Sequence, residues 1–125
     1  MTTERNKALV RMFIEEIFVK GRPEAVDELV ADDFTAHTWG DAAGRDGLRA
    51  AMGRVAKGLA DATFTIDDMI AEGDRVVTHL SGSGTQLGEF RGVPPTGNRV
   101  GLRVIVISRL LDLQIVEEWG TLAWE

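Results

Sequence analysis

Apolar residues recur at helical spacing near the start of the chain. Leu9, Val10, Phe13, Ile14 and Ile17 fall on one face, with Asn6, Lys7, Arg11, Glu15 and Glu16 on the other. This predicts a first helix over roughly 4–19, capped by Thr2 or Thr3 and stopped by Gly21. Pro23 suits the first turn of a second, short helix over about 23–31 that buries Val26, Leu29 and Val30. A brief extended segment at 34–39 ends in the turn-prone Gly40-Asp41. Asp46 is the expected cap of a third helix, in which Leu48, Met52, Val55 and Leu59 form one stripe ending near 58–61. From there the period changes to two. Segments 63–70, 75–82, 99–110 and 115–124 read as strands, with Glu72-Gly73-Asp74 and Asp112-Leu113-Gln114 as tight connections.

The strand beginning near Arg99 is apolar on both faces. Val100, Leu102, Val104 and Val106 lie on one side and Ile105 and Ile107 on the other, so both faces need cover. The chain's own helices are expected to cover one. A second copy is expected to cover the other, giving a homodimer through an outer sheet face that carries Ile105, Ile107, Ile115 and Trp119. Pro94 and Pro95 cannot donate to a ladder and Gly97-Asn98 tolerates positive φ, so this loop should turn the chain into that strand. Helices first and a meander after predict an α+β fold with a mostly antiparallel sheet wrapped around helices.

The 125 residues suffice for a single domain, 1–125, with a substantial core. There is no cysteine, which excludes disulfide frameworks, thiolate metal sites and cysteine nucleophiles, and permits a reducing compartment. With two histidines, His37 and His79, a histidine-rich metal site is not expected. A net charge of −6 and scattered arginines argue against nucleic acid or an anionic membrane as partner. No apolar stretch approaches the length of a membrane span, and a cytoplasmic location is the expectation. Gly82-Ser83-Gly84 and the 92–97 loop lack the spacing of a phosphate-binding fingerprint. No cofactor and no metal are expected.

The second half carries Asp68-Met-Ile-Ala-Glu-Gly-Asp-Arg-Val-Val77, Gly84-Thr, Gly88-Glu-Phe-Arg-Gly-Val-Pro-Pro-Thr-Gly-Asn-Arg-Val100 and Ile115-Val-Glu-Glu-Trp119; the first half adds the helix-one pattern, Asp33-Phe34 and His37. In this order and spacing the set resembles the SnoaL-like polyketide cyclase family, a branch of the nuclear-transport-factor-2-like fold. The resemblance implies a cone-shaped α+β barrel. Three N-terminal helices close a curved sheet around an apolar pocket, often in a dimer packed sheet on sheet. Cyclase members are thought to use an aspartate on the final strand as acid/base, assisted by a histidine on the strand before. Those positions fall here at Gly120 and Val106, neither of which moves a proton, and the usual Asp-Gly turn before the last strand is Asp112-Leu113. Related members act as hydroxylases, and distant relatives hydrolyse epoxides with a carboxylate–arginine–carboxylate set. The fold therefore bounds a pocket rather than a reaction.

Glu118 shares a strand face with Val116, Gly120 and Leu122, the face on which cyclase members carry their aspartate. In an apolar pocket its pKa would rise and it could serve as acid or base; paired with an arginine it would be structural. His37, which the resemblance places near the pocket mouth, is the second catalytic candidate, as relay or substrate-orienting group. His79 is a weaker one. Arg103 is expected on the outer face, paired across a dimer, or else beside Glu118 in a water-activating arrangement. The expected lining is Phe13, Ile17, Trp39, Met52, Val55, Phe64, Val104, Val106 and Leu122. Trp39, like Trp119 and Trp124, can serve packing as well as substrate contact. Taken with the resemblance, these residues imply acid/base chemistry without cofactor on an apolar cyclic or polyketide-like ligand. The alternatives are hydroxylase-like or epoxide-hydrolase-like water activation, or a non-catalytic ligand-binding protein.

Overall fold

The structure is a computed structural model that describes residues 2–37, 42–90 and 92–124. Its elements run α1 (Thr3–Phe13), continued by a π-helical turn (Ile14–Val19), α2 (Ala25–Leu29), β1 (Val30–His37), β2 (Ala42–Ala43), α3 (Gly44–Gly58), β3 (Leu59–Glu72), β4 (Arg75–Gln86), β5 (Arg99–Leu111) and β6 (Gln114–Trp124). The Thr2 side chain caps α1 by accepting from the Arg5 N–H at 3.1 Å. The expected helix over 4–19 is thus continuous in sequence but changes winding at Ile14. The second helix is shorter than expected, because Val30 leaves it to pair with Ile115 as the first residue of β1.

Asp46 does not cap α3. The helix begins earlier, where Ala43 runs out of β2 into Gly44 at φ +71°, and the N-cap position, Ala43, makes no side-chain bond. The Asp46 carboxylate instead accepts from Arg49 Nη1 at 3.3 Å. The expected turn at Gly40-Asp41 lies outside the described residues.

Six strands form one mixed sheet in the order β2-β1-β6-β5-β4-β3. β1 lies parallel to β6, and every other pairing is antiparallel. The edges, β2 and β3, do not meet, so the sheet is curved but unclosed. Register shifts in β3 and between β5 and β6 help bend it. The hairpins at Gly73-Asp74 and Asp112-Leu113 stand where the sequence places them. α1 packs on β3 and β4, and α3 on β1 and β3, so the helices cover one face.

That inner face carries Val76, Thr78 and Leu80 from β4 and Leu102, Val104, Val106, Ser108 and Leu110 from β5, all buried. Val10, Phe13 and Ile17 meet them from α1 and the π turn, with Phe34 from β1 and Leu48 from α3. Ile115 is a correction to the sequence reading. Arg109 pairs with Glu117 but Leu110 pairs with Ile115, so β6 has one extra residue, Val116. This bulge shifts the phase, and Ile115 joins the core at 1% exposure instead of standing on the outer face. Among the described residues no helix is long and apolar enough to cross a membrane.

Candidate functional site

Glu118 arrives on the inner face because β6 resumes strict alternation after the bulge: Glu117 faces out, Glu118 in. It pairs in register with Ser108 of β5 on one side and Ala36 of β1 on the other. The Ser108 hydroxyl donates to Glu118 Oε2 at 2.8 Å. Burial pushes the Glu118 carboxyl up from its usual 4.5 to about 7, against the lowering effect of that hydrogen bond. Ser108 was legible as a signal though not read as one, since it is a lone hydroxyl at an inward position between Val106 and Leu110.

The row next to it pairs Thr78, Val106 and Gly120. Val106 and Gly120 are the two positions at which the resemblance places the cyclase acid/base pair, and Glu118 stands two residues from Gly120 on the same face, about 7 Å along the strand. Thr78 is fully buried, and its Oγ1 has no hydrogen-bond partner among the described residues.

His37 is on the other side of the sheet. Adjacent strand residues point to opposite faces, so Ala36 shares the inner face with Glu118 while His37 points out beside Trp119. There its Nε2 lies 3.3 Å from Glu117 Oε2 and its ring stacks on Trp119 at 6.1 Å. Arg109 donates to the other oxygen of Glu117, at 3.2 Å, and Arg75 sits 5.1 Å from the Trp119 ring. Arg103 also faces out, with Nη1 3.2 Å from His79 Nε2. The sheet therefore separates Glu118 from His37, His79 and Arg103, and an Arg103–Glu118 water-activating arrangement does not form.

The expected lining divides between two spaces. Phe13, Phe64, Val104 and Val106 surround a small chamber of about 20 Å³ with Glu118 in its wall. Ile17, Met52, Val55 and Phe64 line an open cleft of about 490 Å³ between the π turn, α3 and the start of β3. Leu122 packs against the core, and Trp39 lies outside the described residues. Phe18, absent from the sequence reading, lines both spaces. Gly82 makes room for Phe64, since a Cβ there would come within 2.8 Å of the Phe64 ring. Among the described residues no three His, Asp or Glu side chains converge to hold a metal ion.

Solved structures with this architecture include several from Streptomyces species. TsrD from Streptomyces laurentii is 26% identical, with a TM-score of 0.86 over 98% of this chain and 90% of that one. IdmH from Streptomyces antibioticus, provisionally a polyketide cyclase, is 31% identical, with a TM-score of 0.78 over 94% and 91%. AclR from Streptomyces galilaeus, provisionally a hydroxylase, shares the fold at 24% identity and a TM-score of 0.79 over 98% and 91%. Comparison with curated proteins gives no significant match. Residues 8–122 match the family model described as SnoaL-like polyketide cyclase, and with the six-strand sheet and its helical cover in place, the chain belongs to that family.

Proposed function

We propose that this protein is a cofactor-independent enzyme that performs acid/base chemistry on an apolar cyclic or polyketide-like ligand, with Glu118 as the group that moves the proton. One observation carries the reading: a buried carboxyl, 5% exposed, stands in the wall of an apolar chamber with a single neutral hydroxyl holding it. A carboxyl titrating near 7 is populated in both forms at neutral pH. It can take a proton from carbon beside a carbonyl and return one to oxygen. Relative to the cyclase arrangement the carboxylate has moved one inward position along β6, while Val106 and Gly120 supply only shape. IdmH and AclR, provisionally a cyclase and a hydroxylase, mark two reaction types to try first.

A second reading, a non-catalytic ligand-binding protein, draws support from the loss of the histidine position to Val106 and from the outward direction of His37. The two part on one experiment. Glu118→Gln keeps the shape and the contact with Ser108, and should lower turnover of a converted ligand by roughly 10²- to 10⁴-fold with affinity kept. In the parent protein kcat/KM should change with an apparent pKa near 7. Full turnover in Glu118→Gln overturns the catalytic role, and binding without conversion by the parent protein favours the second reading.

A further inference from the structure

The chamber at Glu118, about 20 Å³, has room for about one water molecule and for no part of a ring substrate. The cleft outside it, about 490 Å³, falls within the size range of small-molecule sites. For Glu118 to act on carbon, the wall between the two spaces has to move. That wall consists of the two residues that line both, Phe18 and Phe64.

Both rings are half-buried and placed by features that suit a movable wall. Phe18 belongs to the π-helical turn Ile14–Val19, a winding that is rare and concentrated at functional sites. It meets Phe13 edge-on at 5.7 Å. Phe64 lies over Gly82, where the sheet has no side chain to hold it from below. The cleft's apolar faces come from Met52, Val55 and the two rings, and its Arg49 is already bonded to Asp27 at 2.7 Å and to Asp46 at 3.3 Å. An uncharged, flat ligand fits this chemistry better than an anion.

Resting on the Glu118 reading above, we infer that Phe18 and Phe64 form an aromatic gate through which an uncharged fused-ring ligand seated in the cleft between α3 and β3 reaches Glu118, and that their bulk selects which rings are admitted.

The test uses the whole protein carrying ¹³C-labelled glutamate, with the Glu118 carboxyl titrated by NMR and 1-aminoanthracene as the neutral fused-ring probe. Phe18→Ala and Phe64→Ala should each let water into the chamber and bring the Glu118 midpoint down from about 7 towards 4.5. Saturating probe should shift the Glu118 resonance in the parent protein and raise the lowered midpoint again in the variants. Met52→Arg, which charges the cleft without touching the chamber wall, should weaken the probe roughly tenfold and leave the midpoint in place. Should an alanine variant fail to fold, Phe64→Leu and Phe18→Leu give smaller shifts in the same direction. A midpoint unmoved in every folded gate variant overturns the gate, as does probe binding that leaves the Glu118 resonance unshifted. Neither result bears on Glu118→Gln turnover, so loss of the gate and loss of the catalytic role are separable.

Discussion

The inward position of Glu118 has a thermodynamic consequence whether or not a substrate is known. Its folded-state pKa, about 7, lies above the 4.5 of an open chain, so the folded protein holds this proton more tightly than the unfolded one. The sign follows. Below 4.5 both states are protonated and no penalty applies; as pH rises to 7 the folded state is progressively penalised, and above 7 the penalty is complete. At about 1.4 kcal/mol per pH unit this amounts to roughly 3 kcal/mol, a large share of a small domain's stability. Glu118→Gln removes the titration. In urea unfolding the variant should match the parent near pH 4 and exceed it by up to roughly 3 kcal/mol at pH 8, where Ser108 can still donate to the amide oxygen. A difference that does not grow between those pH values would show that Glu118 is hydrated. A group that costs this much where a leucine would fit is most simply explained by use, as sites under functional demand are seldom optimal for stability.

Among the elements, the β5–β6 hairpin carries the clearest strain. Both of its central residues, Asp112 and Leu113, have positive φ, at 51° and 65°. The two-residue turn requires this geometry to match the twist of its strands. Asp tolerates it, whereas Leu loses on the order of 1 kcal/mol and, at 43% exposure, recovers little through packing. Leu113→Gly should therefore raise the melting temperature by roughly 3–5 °C in calorimetry, worth about 1 kcal/mol. A lower melting temperature would mean that the leucine side chain contributes more than its exposure suggests. The loop between β4 and β5 is held differently. The buried Gln86 side chain donates to the carbonyls of Val93 and Pro94 at 3.0 and 3.1 Å and accepts from Thr96 Oγ1 at 3.3 Å. One inward amide thus organises a proline-rich segment that has no ladder of its own.

At the scale of the whole molecule, the helices leave the outer sheet face uncovered. Ile105 is 50% and Ile70 66% exposed there, beside the half-buried Val77, Ile107 and Trp119. Around them run polar pairs, Arg103 with His79 and Glu117 with Arg109 and His37. We propose that a second copy of the chain covers this face, with the apolar centre against its own image and the charges at the rim. Light scattering at micromolar concentration should give twice 13.7 kDa, and Ile105→Glu, which places a charge at the centre, should give the monomer mass with the fold kept. A monomeric parent protein would remove the proposal. In a dimer of this kind the outward cluster of His37, Glu117 and Trp119 would meet the second copy, on the opposite side of the sheet from Glu118.

The helix-one stripe, the α3 stripe and the two tight hairpins were readable from residue order, because each depends on geometry repeated over neighbouring residues; that Glu118 shares a face with Gly120 was readable too, but which face is inward came only from the resemblance. Ile115 was not. A single extra residue in β6 reverses its face, and a bulge is decided by the partner strand rather than by local pattern. The direction of His37 was equally hidden, since a short segment has no face until β1 pairs parallel with β6, over eighty positions away in sequence for His37 and Trp119. The hydroxyl of Ser108 beside Glu118 could be suspected from its lone polar place in an apolar strand, but its partner came only with the β5–β6 register. The resemblance implies one apolar lining, which the sequence treats as one set. Its division into a cleft and a small chamber depends on where two rings, Phe18 and Phe64, come to rest, and that is settled by packing across the helix–sheet gap, where no local rule applies.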